Sequence, residues 1–128
     1  IIGCLNNWVD GWVDWNMVLD TQGGPNWFKN WCVAPVIVDP EKDEIYFTPL
    51  YYTMVHFSKF MRPGAVKIGC IINNNDLMST AVKNPDGSIA VVIFNPTEQE
   101  FAVEINQNNK KATISISAKA LQTVIIKI

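Results

Sequence analysis

All five tryptophans of the chain, Trp8, Trp12, Trp15, Trp27 and Trp31, fall at or before position 31, and this asymmetry constrains the fold more than any other feature. The three tyrosines, Tyr46, Tyr51 and Tyr52, follow in the next stretch, and beyond Pro63-Gly64 only Phe94 and Phe101 are aromatic. The chain therefore has two halves with different jobs. Up to about Gly64 it reads as aromatic-rich, loop-rich α/β material. From Ala65 onward it is rich in Val, Ile and Ala and punctuated by turns.

Length and charge narrow the choices. With 128 residues the chain cannot close an eight-fold α/β barrel, which needs upwards of about 200. A 48% hydrophobic and 17% charged composition excludes disorder. Net charge −2 is too balanced for the basic footprint that nucleic acid or an anionic membrane requires, so no nucleic-acid partner is expected. No apolar run is long enough for a transmembrane segment. Cys4, Cys32 and Cys70 lie far apart with no CxxC pair, and the expectation is three buried free thiols with no metal and no cofactor.

In the second half the pattern is that of antiparallel sheet. Val66–Ile72 is a short apolar run, broken by Asn73–Asp76 and resumed over Leu77–Lys83. Asn84-Pro-Asp-Gly87 is a tight-turn signal, since Pro presets φ and Gly accepts φ > 0, and Ile89–Asn95 forms the second arm of a hairpin. Phe101, Val103 and Ile105 alternate with Ala102, Glu104 and Asn106; after a turn at Asn106–Asn109, Ala112, Ile114 and Ile116 alternate with Thr113, Ser115 and Ser117. Such alternation marks half-buried strands. Leu121–Ile128 supplies the last one, and five or six strands so spaced point to a β-sandwich.

The first half reads as mixed α/β. Thr48 is placed to cap a helix opening at Pro49, with Leu50, Met54, Phe57 and Met61 at helical spacing, and Arg62-Pro63-Gly64 stops it. Val33–Asp39 is a short strand with Ile45–Phe47 as an antiparallel mate; Ile1–Val9 reads as the tail of a helix feeding a strand at Gly11–Asn16.

Chemistry is concentrated in Gly11-Trp-Val-Asp-Trp-Asn16 and Gly23-Gly-Pro-Asn-Trp27. Amides beside indole faces form the kind of surface that sugars select, because apolar C–H faces stack on the ring while amides and carboxylates take the hydroxyls. On spacing alone, core packing is the competing reading for most of the tryptophans, and a structural hydrogen bond is the competing reading for Asp14. If 10–14 is a strand, Asp10, Trp12 and Asp14 share a face, with the two carboxylates roughly 13 Å apart by strand rise, against the 5–5.5 Å that two carboxyls need for glycoside hydrolysis with retention. His56 has no GxSxG-type nucleophile near it and reads as a hydrogen-bonded packing residue. Gly23-Gly24 lacks the spacing of a phosphate cradle.

Gly11-Trp-Val-Asp-Trp-Asn16, then Gly23-Gly-Pro-Asn-Trp27 with Asn30, Pro35-Val-Ile-Val-Asp39, His56-Phe-Ser-Lys-Phe60 and Pro63-Gly64 occur in an order that resembles the C-terminal portion of glucosylceramidases, the acid β-glucosidase-like members of glycoside hydrolase family 30. The likeness covers essentially the whole chain and is strongest through residue 69. It implies the last strand (about 11–16) and last helix (about 49–61) of a (β/α)8 TIM barrel over residues 1–64, followed by an antiparallel β-sandwich over residues 65–128. It implies a substrate-binding role for Trp15 and Asn30 in a glucose pocket, with Trp12 and Asp14 supporting the rim.

By the same resemblance both catalytic glutamates precede Ile1, and none of Glu41, Glu44, Glu98, Glu100 or Glu104 matches either. The expectation is the closing segment of a retaining β-glucosidase acting on glucosylceramide or a similar β-glucoside, inactive by itself, with the remainder of the barrel as its partner. A secreted, periplasmic or lysosomal setting goes with the family. Departures from the mammalian-type pattern, among them Cys4, Asn7, Trp8 and Asp20, fall near the strand entry and pocket rim. The reading from another class is a non-catalytic carbohydrate-binding β-sandwich module.

Overall fold

The computed structural model describes residues 1–127. A short helix, α1 (Ile2–Asn6), leads through an irregular segment to strand β1 (Val18–Asp20). A long loop then carries the chain to β2 (Val36–Asp39), β3 (Glu44–Phe47) and helix α2 (Pro49–Ser58). Six strands follow: β4 (Val66–Ile68), β5 (Met78–Lys83), β6 (Ile89–Phe94), β7 (Phe101–Gln107), β8 (Lys110–Ile116) and β9 (Leu121–Ile126).

The second half is a β-sandwich of unequal layers. One sheet runs β4-β5-β6-β9, antiparallel throughout, and the β7-β8 hairpin forms the other layer. Strand β6, IAVVIF, has no polar residue because both its faces are covered. Val91 and Ile93 join Leu77, Ala81 and Ile116 in the core between the layers, with Phe101, Val103 and Ile105 of β7 closing it. On the opposite face Val92 packs with Ile2 of α1 and Phe57 of α2. Burying a side chain such as Val92 stabilises by about 1.5–3 kcal/mol.

The turns are chosen by local chemistry. Asn108 and Asn109 both take positive φ (51° and 62°), the mirror-image turn that matches strand twist and that Asn tolerates. At the preceding hairpin Gly87 takes φ 86°, and buried Asn84 does a second job. Its Oδ1 accepts from Arg62 N at 3.0 Å and its Nδ2 donates to Phe60 O at 3.0 Å, tying the hairpin to the end of α2.

The first half holds a three-stranded sheet, β1-β2-β3, in which β1 pairs parallel with β2 and β2 antiparallel with β3. Asp39 ends β2 buried, and the hydrogen bond from Lys42 holds its carboxyl below the usual carboxylate range. Thr48 does precede α2, but its hydroxyl donates to Ala34 O at 2.9 Å instead of capping the helix.

Several sequence expectations are corrected. Gly11–Asn16 is not a strand; among the described residues it has no partner for a hydrogen-bonded ladder, whereas Val18–Asp20 finds β2. Helix α2 ends at Ser58, short of Met61, and β4 stops at Ile68, short of Ile72. The last strand ends at Ile126, and Ile128 of the expected run lies outside the described residues. None of the tryptophans enters a core. Both cores are built from aliphatic side chains with Phe57, Phe94 and Phe101, while the tryptophans sit on irregular surface segments. Cys4, Cys32 and Cys70 are free but only half-buried; Cys70 packs at the margin of the sandwich core, while Cys32 lies in the loop between β1 and β2.

Candidate functional site

Between β1 and β2 the chain makes an excursion, and its base is set by Asp20. Asp20 N donates to Gly24 O at 2.7 Å, and Gly23 N donates back to Asp20 O at 3.0 Å. The Asp20 carboxylate accepts from Gln22 N and Gly24 N, each at 2.8 Å. Asp is apt at such a turn because its short side chain reaches its own following backbone.

Gly23 is needed for contact as well as for conformation, Gly24 for its closeness to the Asp20 carboxylate. Gly23 has φ 74°, and a Cβ there would meet Cys32 N at 2.7 Å. On Gly24 a Cβ would meet Asp20 Oδ2 at 2.9 Å. The outgoing and returning limbs are thus pressed together at Gly23 and Cys32. Beyond the pinch, Trp27 and Phe28 project outward, 96% and 89% exposed.

A concave surface of about 540 Å³ lies on one side of this loop, lined among others by Trp15, Asn26, Trp27, Phe28 and Asn30. Trp15 is 76% exposed, and its N–H donates to Asp14 Oδ1 at 2.8 Å, so the Asp14 carboxylate steadies the backbone that carries the indole. Trp12 and Asp14 do not line the concavity; Trp12 is half-exposed nearby in sequence. Trp31 does not line it; it lines an adjoining hollow of about 420 Å³ with Asp20 and Gln22, and Pro25, Asn26 and Lys29 border both.

The surface can therefore offer indole and phenyl faces beside carboxamides, with Lys29 the charged member of its lining. That combination suits a neutral polyhydroxylated ligand, in which C–H faces stack and hydroxyls hydrogen-bond. Among the described residues no three His, Cys, Asp or Glu side chains converge to hold a metal ion. The sequence reading singled out Trp15 and Asn30 and included Asn26 in a motif without giving it a role, but missed Phe28 and Lys29 as lining residues. The Gly23-Gly-Pro-Asn-Trp27 string was the available signal; Phe28 and Lys29 carry none.

Away from the loop, His56 of α2 stands half-buried against β9, and burial lowers its pKa below the usual 6.5. It takes no part in the concavity.

Comparison with known proteins gives a consistent picture. Residues 1–61 match the glycosyl hydrolase family 30 TIM-barrel domain, and residues 64–124 match the glycosyl hydrolase family 30 beta sandwich domain. The lysosomal acid glucosylceramidase of Mus musculus is 39% identical over 99 residues, covering 77% of this chain and 19% of that protein. The crystal structure of SrfJ from Salmonella typhimurium superposes with a TM-score of 0.95 at 28% identity, over 99% of this chain and 28% of that one. The endo-beta1,6-glucanase BT3312 gives a TM-score of 0.87 at 27% identity, over 95% of this chain and 28% of that one. The chain spans about a fifth to a quarter of the length of the curated relatives it matches.

Proposed function

The chain belongs to glycosyl hydrolase family 30, and from that membership we propose that it serves as the closing segment of a retaining β-glucosidase acting on glucosylceramide or a similar β-glucoside. The observation that carries this reading is the shared concavity of Trp15 and Asn30, two residues 15 positions apart that the loop brings to one surface. Residues 1–64 act as the last part of the catalytic barrel and residues 65–128 as the sandwich that buttresses it.

Retention needs two carboxyl groups about 5–5.5 Å apart, one as acid/base and one as nucleophile. In this reading both come from the preceding part of the barrel. The present chain contributes binding: the Trp15 indole walls the sugar ring, Asn30 hydrogen-bonds near the entrance, and Trp12 and Asp14 support the rim. Interactions of this kind accelerate the reaction to the extent that they strengthen as the ring flattens toward its oxocarbenium-like transition state. The chain alone hydrolyses nothing, because the double displacement lacks its carboxylates.

The test is kinetic. In the complete enzyme, Trp15→Ala should lower kcat/KM far more than Trp31→Ala, since Trp31 lies in the other hollow; equal losses refute the pocket assignment. Turnover of an aryl β-glucoside by the purified 128-residue chain would refute the division of labour. Comparing glucosylceramide with β-1,6-glucan as substrates fixes the aglycone. A free-standing sugar-binding module would instead show saturable quenching of tryptophan fluorescence by glucose or cellobiose in the isolated chain.

A further inference from the structure

Segment Pro25–Asn30 is exposed along its whole length, so burial does not hold it in place. What holds it is one side chain. Asn26 Nδ2 donates to Gly23 O at 3.0 Å, and Asn26 Oδ1 accepts from Asn30 N at 3.0 Å. Only one orientation of the carboxamide satisfies both partners, because a carbonyl needs the NH2 end and an N–H needs the oxygen. Among the described residues the bond to Gly23 O is what ties Pro25–Asn30 to the base of the loop, and the bond from Asn30 N closes the segment on itself.

The anchor itself is firm. Gly23, whose carbonyl Asn26 grips, is wedged against Cys32 with no room for a Cβ, and is tied back to Asp20. Within the bracket, Lys29 takes φ 52°, a left-handed conformation that costs a non-glycine residue about 1 kcal/mol or more and persists only where surroundings impose it. The planar amide of Asn26 thus transmits the position of the Gly23 base to Asn30 across the aromatic tip.

We propose that Asn26 is a positioning residue for the sugar site, its carboxamide holding Asn30 where it faces the same concavity as Trp15. This rests on the functional reading above. Asn26 acts through Asn30, so its loss should behave as a partial loss of Asn30 and add nothing to it.

The experiment uses the complete enzyme with an aryl β-glucoside, and the variants Asn26→Ala, Asn26→Asp, Asn30→Ala, Asn26→Ala/Asn30→Ala and Trp15→Ala. Asn26→Ala should raise KM by about tenfold, with kcat changed by less than about twofold, the signature of lost ground-state and transition-state binding together. The double variant should match Asn30→Ala, since residues acting as one unit are not additive. Deuterium uptake in a peptide covering residues 23–32 should rise in Asn26→Ala.

Asn26→Asp adds a readout that a merely structural role would not move. As a carboxylate it still accepts from Asn30 N but faces Gly23 O without a proton. Protonated, it regains the donor. Its KM relative to wild type should therefore recover toward unity as pH falls through the carboxyl range, about pH 4, whereas Asn26→Ala should not recover. The proposal is overturned if both Asn26 variants keep wild-type KM while Trp15→Ala is impaired, or if the double variant is additive. A silent Trp15→Ala overturns the sugar-site reading together with it.

Discussion

His56 Nδ1 stands 2.8 Å from Thr123 Oγ1, so that one hydrogen bond joins α2 to β9 across 67 positions of sequence. The pair sits where helix meets sandwich, on the face of the sheet that Val92 and Phe57 fill. A histidine here does what a hydrocarbon would not: it packs and also satisfies a hydroxyl at the seam.

Burial lowers the His56 pKa below its unfolded value of 6.5, which sets the direction of a pH effect. The neutral form is favoured in the folded chain. Stability is therefore fully present above about pH 7, falls as pH drops through 6.5 toward the lowered folded value, and levels off below it. Urea unfolding of wild type and His56→Gln across that window should show the slope in wild type alone. Asp39 and Asp86 also have lowered pKa values, from Lys42 and Ser88 hydrogen bonds respectively, but their contribution is lost only as pH falls below 3.8.

Asn95 is fully buried and should be among the most sensitive polar positions. Its Nδ2 donates to Gln99 O at 2.6 Å and Ser117 O at 2.8 Å, while its Oδ1 accepts from Thr97 N and Thr97 Oγ1 at 3.0 and 2.8 Å. Asn95→Ala strips partners from both the β6–β7 and β8–β9 connections. The expected loss is about 3 kcal/mol, read from the shift of the urea midpoint at constant m-value.

Thr80 should respond in the opposite sense. Its hydroxyl is fully buried in β5 with no hydrogen-bond partner among the described residues. Thr80→Val keeps the shape and the β-branched preference while removing the uncompensated polar group. It should leave stability unchanged or raise it by up to about 1 kcal/mol, whereas ordinary core substitutions lower it. A thermal midpoint below wild type would show that the hydroxyl has a partner in solution.

The sandwich was legible because strands carry their own evidence. Alternation in β7 and β8 and the Asn84–Gly87 turn depend on neighbours within a few residues, and the structure places them as the pattern reads. The mini-sheet was half legible: β2 and β3 were read as a hairpin, while the parallel pairing of β1 with β2 bridges a long loop and leaves no local period. Gly11–Asn16 shows the limit from the other side. Its alternating pattern looks like strand, yet a strand requires a partner ladder, and among the described residues it finds none.

Trp15 and Asn30 were chosen by a resemblance of motifs, which says that residues matter without saying what holds them. The sequence by itself determined the two-part composition, the turn chemistry and which residue types could recognise a sugar. Tertiary structure alone decided that Trp15 and Trp31 line different hollows of one loop and that Asn26 braces its tip. The physical reason is range: hydrophobic period and turn preference act over a few residues, whereas the wedge of Gly23 against Cys32 and the pairing of β1 with β2 exist only after distant segments have met.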